Sequence, residues 1–162
     1  MADEAQAAPA NQQFEGLMIN AQYLRDMSFE NPNAPASLAT AGKQPDINVD
    51  VNVATRKLAE KSHEVVLKVS ATAKVEEKTM FIAELEYGAV ATLGADIPEQ
   101  GVQMALMVEV PRIIFPYARK LLADATQDGG FPPLLLNPID FRALLAQKQA
   151  QAQAANGSET VN

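Results

Sequence analysis

An α+β fold follows from three features of the sequence. Residues 46–53 alternate polar and apolar side chains without exception. Residues 63–87 hold two more alternating runs joined by a short charged turn, and a dense, non-alternating apolar stretch begins only near Gln100. Strands first and helices last predict an antiparallel sheet with helices on one face and a polar, solvated face on the other. At 162 residues the chain has the size of one domain with one core.

Residues 14–29 are mixed in pattern, yet LMINAQYLRDMSFE suits a strand, closed by the turn-rich Asn31, Pro32, Asn33, Ala34 and Pro35. In the next strand Ile47, Val49, Val51 and Val53 face one way and Asp46, Asn48, Asp50 and Asn52 the other. The third puts Val65, Leu67, Val69, Ala71, Ala73 and Val75 on one face. After the turn at Glu76, Glu77 and Lys78, Phe81, Ala83, Leu85 and Tyr87 share one side and Met80, Ile82, Glu84 and Glu86 the other, which predicts an antiparallel hairpin. The stretch VQMALMVEVPRIIFPYARKLLADA is too uniformly apolar for a one-sided strand and predicts a largely buried helix. Pro111 and Pro116 lack a backbone N–H and crowd the preceding turn, so this helix kinks there or begins after one of them. Gly129 and Gly130 supply its stop, and FPPLLLNP follows as an extended segment. A second helix opens with Asn137 as N-cap and Pro138 at its first position, carrying Ile139, Phe141, Leu144 and Leu145 as a short apolar stripe.

Composition removes several kinds of chemistry. Twenty acidic residues against 13 basic ones give a formal net charge of −7, which repels nucleic-acid phosphates and anionic membranes. Cysteine is absent, so no thiolate can act as nucleophile or metal ligand. The single histidine, His63, follows Glu60, Lys61 and Ser62 at a strand start and reads as a solvated turn residue rather than a catalytic base. A zinc site would need carboxylates almost alone, and no phosphate-binding glycine motif is present, so neither metal, cofactor nor enzymatic activity is expected. No window approaches the roughly 18–20 apolar residues of a membrane span. MADEAQAAPANQQ has neither the basic nor the apolar region of a secretory signal, so a soluble chain not exported by that route is expected. Residues 1–12 and 149–162 are rich in Ala, Gln, Asn and other small residues, and are expected to be disordered ends around one domain at 13–148.

Two features exceed what a plain domain needs. Met80 and Ile82 alternate with Glu84 and Glu86 on a strand face that should meet water, which fits either a binding patch or scattered surface apolars. Apolar residues also crowd FPPLLLNPIDF and the stretch from Pro32 to Leu38, where they either line a groove or seal the core.

The segments YLRDMSFENPNAP, QPDINVDVNV, the 63–87 hairpin and VPRIIFPYARKLLADATQDGGFPPLLLNPIDFRALL resemble the SecB family, the cytosolic protein-export chaperones of Gram-negative bacteria. The likeness runs from about Phe14 to Leu145, and SFExPNAP followed by FPYAR and FPxLxLxPxxF is a specific combination. The resemblance implies a four-stranded antiparallel sheet with one long and one short C-terminal helix, assembled as a homotetramer, a dimer of dimers. It further implies a cytoplasmic holdase that uses no ATP, keeps precursor proteins unfolded and delivers them to the SecA translocation ATPase. In the family an acidic sheet face docks SecA, including its basic, zinc-containing tail. By motif position the matching residues are Asp26, Glu30, Ile82 and Glu84, and strand geometry adds Glu86. The family's apolar client grooves match Phe29, Ile47, Val49, Leu134, Leu136, Phe141, Leu144 and Leu145.

The alternative is a SecB-like chaperone dedicated to another client, such as an antitoxin, without a SecA role; the retained Asp26, Glu30 and Glu84 favour the export reading. The sequence departs from the family in carrying Lys43 where an aromatic often precedes the QP of the second strand, and in lacking helix cysteines. Its Ala-rich N-terminus and Ala/Gln tail resemble alphaproteobacterial members.

Overall fold

Strands β1 (Leu17–Glu30), β2 (Asp46–Lys57), β3 (Ser62–Val75) and β4 (Lys78–Leu93) form one antiparallel sheet in the order β1-β4-β3-β2. The structure, a computed structural model, describes residues 16–39 and 43–157. The inner face buries Val65, Leu67, Val69, Ala71 and Ala73 of β3 against Phe81, Ala83, Leu85, Tyr87, Ala89 and Ala91 of β4. Alternation predicts these faces because successive strand side chains point to opposite sides. β4 continues six residues past Tyr87, with the same alternation carried by small side chains.

Met80 corrects the sequence reading. The β3–β4 register passes from Ala73 opposite Phe81 to Lys74 opposite Thr79, leaving Met80 as an extra residue. This bulge turns Met80 inward beside Phe81, so it is 5% exposed rather than on the wet face. His63 also differs from expectation: it is half-buried on β3, opposite Lys57 and Ala91.

Helix α1 (Glu99–Met104), a π turn (Ala105–Glu109) and α2 (Val110–Asp128) follow one another without a break across the inner face. Val110, Ile114, Ala118 and Leu122 recur every four residues and are fully buried. Pro111 neither breaks nor starts this run; it sits at the start of α2, directly after the π turn, where the loosened ladder accommodates its missing N–H. Pro116 is carried on the exposed side. Gly129 and Gly130 end α2 as expected, with Gly130 N–H bonding to the Gln127 carbonyl and Phe131 N–H to the Thr126 carbonyl, both at 3.0 Å. Gly130 has φ 89°, the left-handed position that this closing motif assigns to glycine.

Helix α3 (Phe141–Gly157) departs from its predicted limits at both ends. It starts after Asp140, whose Oδ1 accepts the Ala143 N–H at 3.0 Å, so Asp140 rather than Asn137 is the cap. It then continues through the Ala/Gln stretch expected to be a disordered tail from Gln149, because Ala and Gln are strong helix formers. Lys148 Nζ donates to the Val53 carbonyl at 2.7 Å and fastens α3 to β2. The expected N-terminal segment 1–12 and the last residues of the tail, 158–162, lie outside the described residues.

Candidate functional site

Two surfaces stand out, one on each side of the sheet. On the outer face, register places Glu30 opposite Ile82, Ser28 opposite Glu84 and Asp26 opposite Glu86. All five candidate docking residues therefore share one face of two neighbouring strands. Strict alternation from Tyr23 would turn Asp26 inward. A register shift between Leu24 and Asp26 leaves Arg25 as the extra residue and returns Asp26 to the outside.

Arg25 lies between two carboxylates, 3.8 Å from Glu64 and 3.5 Å from Glu86. Glu86 is also 2.7 Å from Lys68, so its charge is matched within the subunit. Among the described residues, Asp26, Glu30 and Glu84 have no ion pair. Half-buried Ile82 adds an apolar step beside them.

Glu64 is buried in the outer face at 7% exposure. It accepts the Tyr23 hydroxyl, and Arg56 donates to it from Nε at 3.0 Å and approaches through Nη2 at 2.8 Å. Tyr23 reaches Glu64 by crossing β4 over Gly88; a Cβ there would stand 2.7 Å from the tyrosine ring. The Tyr23 bond and then Arg56 hold the Glu64 carboxyl below the usual carboxylate range, against the opposing effect of burial. Burial, reinforced by the Glu64 bond, pushes the Tyr23 phenol up. This network ties together all four strands beneath the acidic residues.

The second surface is an open cavity of about 500 Å³ on the inner side, at the hairpin end of the sheet. Leu38, Ile47, Phe81, Phe131, Leu134 and Leu135 supply its apolar lining. Phe29 supports it from behind, its ring 5.7 Å from Phe81 and 6.3 Å from Phe131. Val49, like Ile47 38% exposed, continues an apolar strip along β2, and Leu144 is half-buried on α3. Asn33 donates to the Thr79 carbonyl at 2.8 Å and fixes the loop that carries Leu38. On the rim, Lys43 pairs with Glu76 at 2.6 Å in place of an aromatic wall.

Three of the eight residues matched to the client groove are core residues instead. Leu136, Phe141 and Leu145 are 6%, 2% and 8% exposed, with Phe141 packed edge-on to Phe115. Phe141 and Leu145 form an α3 stripe that turns toward the domain, and Leu136 is sealed from the segment before the helix. Leu38 and Leu135, 49% and 63% exposed, were missing from the candidates. Their signal was the surplus of apolar residues in non-regular segments, which divides between both open roles: Leu136 seals the core and Leu135 lines the cavity.

An open apolar cavity on one side of a single sheet, with acids on the other that have no ion pair among the described residues, is the form of a polypeptide-binding scaffold. The family profile described as preprotein translocase subunit SecB matches residues 10–152. Curated relatives include the protein-export protein SecB of Parvibaculum lavamentivorans, 47% identical over 90% of this chain and 86% of its own. That of Azorhizobium caulinodans is 44% identical over 90% and 91%. Among solved structures, a SecB-like chaperone of Mycobacterium tuberculosis, in complex with a ChAD peptide from the HigA1 antitoxin, superposes with a TM-score of 0.65. It shares 16% identity and covers 76% of this chain and 91% of its own. The chain belongs to the SecB family.

Proposed function

We propose that the chain is an ATP-independent holdase of protein export, which keeps precursor proteins unfolded in the cytoplasm and delivers them to the SecA translocation ATPase. Family membership and the protein-export names of its relatives support the chaperone role. The observation that carries the mechanism is the separation of two surfaces by one sheet. Asp26, Glu30 and Glu84, without an ion pair among the described residues, stand on the outer face, while the apolar cavity opens on the inner one. The acids would steer and pair with basic residues of SecA, with Ile82 as an apolar anchor and Glu86 contributing little beyond its own ion pairs. The cavity and the β2 strip would take apolar side chains of an extended client, reading unfoldedness rather than sequence.

A homotetramer, a dimer of dimers, fits the uncovered apolar residues of the long helical run, Met104, Ile113 and Tyr117, which are 38%, 42% and 52% exposed. Among the described residues no helix is long and apolar enough to cross a membrane. Dedication to an antitoxin is not favoured, since the relatives at 44–47% identity are export proteins and the antitoxin-bound neighbour shares only the fold.

Light scattering on a sizing column, with and without a permanently unfolded precursor, tests this reading. The expected mass is near four subunits and rises by one client. A monomer indifferent to the unfolded chain would overturn it. Asp26→Lys or Glu84→Lys is expected to weaken SecA binding while client binding persists, and an unchanged SecA affinity at moderate salt would remove the docking assignment.

A further inference from the structure

We propose that Thr126 is a positioning residue that sets the register of the cavity wall at residues 131–136. The inference rests on the reading of the cavity as the client site. Thr126 is fully buried near the end of α2, and neither the docking face nor the cavity lining includes it. Its hydroxyl lies 2.9 Å from the Ala123 carbonyl and 3.1 Å from the Leu122 carbonyl and shares its one proton between them. That leaves a lone pair, which accepts the Leu134 N–H at 2.9 Å. Its own backbone carbonyl accepts the Phe131 N–H at 3.0 Å. One residue thus grips the departing chain at two points, three residues apart.

The spacing has a chemical reason. Pro132 and Pro133 carry no N–H, so Leu134 is the first residue after Phe131 that can donate from its backbone. The wall belongs to no strand or helix, and no sheet ladder fixes which way its side chains point. In extended backbone a slip of one residue exchanges the two faces. Here the phase sets where each leucine goes: Leu134, half-buried, and Leu135, 63% exposed, border the cavity, and Leu136 is sealed at 6%. The Thr126–Leu134 bond fixes that phase.

The test compares Thr126→Val, which keeps the shape and removes the hydroxyl, with Thr126→Ser, which keeps the hydroxyl, and with Leu135→Ser as a direct lesion of the wall. Affinity is read with fluorescent, reduced and carboxymethylated α-lactalbumin, a permanently unfolded chain, and amide exchange is followed at Leu134. Losing one hydrogen bond of ordinary strength gives about a fivefold loss of affinity in Thr126→Val, with faster exchange at Leu134 and unchanged protection in β3. Thr126→Ser is expected to stay within about twofold of the parent. If Leu135→Ser weakens binding and Thr126→Val does not, the positioning role is refuted and the cavity assignment stands. If neither changes affinity for a client that still binds, the cavity assignment fails and the inference falls with it. Should Thr126→Val not assemble, Thr126→Ala is measured in its place with the same outcomes.

Discussion

The crossing of Tyr23 over Gly88 makes a quantitative demand on stability. Replacing Gly88 by Ala puts a methyl group 2.7 Å from Cε2 and Cζ of Tyr23 and 3.0 Å from its hydroxyl. Carbon atoms in contact prefer about 3.5–4.0 Å, so the ring must move by about 1 Å. Tyr23 is half-buried on an edge strand, and the ring can swing outward, but only by leaving Glu64. A hydrogen bond to a charged acceptor contributes about 1.5–3 kcal/mol. Alanine in a strand interior returns about 0.5–1 kcal/mol relative to glycine, so the net cost of Gly88→Ala is about 0.5–2.5 kcal/mol. Tyr23→Phe removes the same bond at a cost of about 1.5–3 kcal/mol. Both lesions break one contact, so the double mutant is expected to cost at least ~1 kcal/mol less than the sum of the singles. The protein has no tryptophan, so urea unfolding is followed by far-ultraviolet circular dichroism, at one protein concentration because assembly contributes to stability. Additivity within about 0.5 kcal/mol would refute the argument that Gly88 exists to let Tyr23 reach Glu64.

Three further outcomes are expected. Phe141→Ala, at a site 2% exposed, should destabilise the fold by about 3–5 kcal/mol, whereas Leu135→Ser should leave the urea midpoint nearly unchanged; equal effects would erase the division between core and cavity. The Glu64 carboxyl is held below its ordinary value of 4.5, so the stability it contributes is complete above that value and lost as pH falls through the lowered one. The stability difference between the parent and Glu64→Gln should therefore shrink below pH 4.5, and a difference that grows on acidification would contradict the network. Lys43→Leu should add about 40 Å² of apolar contact on the cavity rim, worth roughly 1 kcal/mol or about fivefold in affinity for the unfolded chain. Its exposed pair with Glu76 is worth little, so thermal stability should hold, and unchanged client affinity would place the client elsewhere.

The strands were legible wherever one rule acted alone. β2 alternates strictly and β3 nearly so, with Val66 the one apolar residue on its outer face, and their inner faces follow from the period of two. Legibility ended where a bulge changes the count, because an extra residue leaves no trace in composition. Met80 turned inward at such a place, and Asp26 reached the outer face through another at Arg25. Alternation put Ile82, Glu84 and Glu86 on one face, whereas Asp26 and Glu30 were reached through family motifs, since alternation carried on from Tyr23 turns Asp26 inward. On α3 the apolar stripe was visible, but its direction was not: a stripe marks a buried face and does not say what buries it. Phe141 and Leu145 turned to their own core, while Leu135, in a segment with no periodicity at all, became the exposed one. Thr126 lay beyond sequence reasoning altogether, because its role appears only when a proline-rich segment folds back past the helix end.

The placement of the two surfaces constrains how a client could be passed on. They lie on opposite sides of one sheet, and side chains on those sides never share a contact surface. A basic partner seated on Asp26, Glu30 and Glu84 therefore cannot evict a client by occupying the same space. Between the surfaces lies a closely packed layer: paired strands filled with Val, Ala and Leu, and bridged on the outside by Tyr23, Glu64 and Arg56. Such a layer has low compressibility and resists continuous deformation. Two irregular segments border the cavity, the loop bearing Leu38 and the wall held by Thr126; the first begins directly after Glu30 and so adjoins the acidic face as well. In the proposed function the docking face then supplies local concentration, bringing the partner beside a client whose own dissociation sets the pace. In that reading affinity for the partner and affinity for the client rest on different side chains of one fold, with the loop after Glu30 as the segment that adjoins both surfaces.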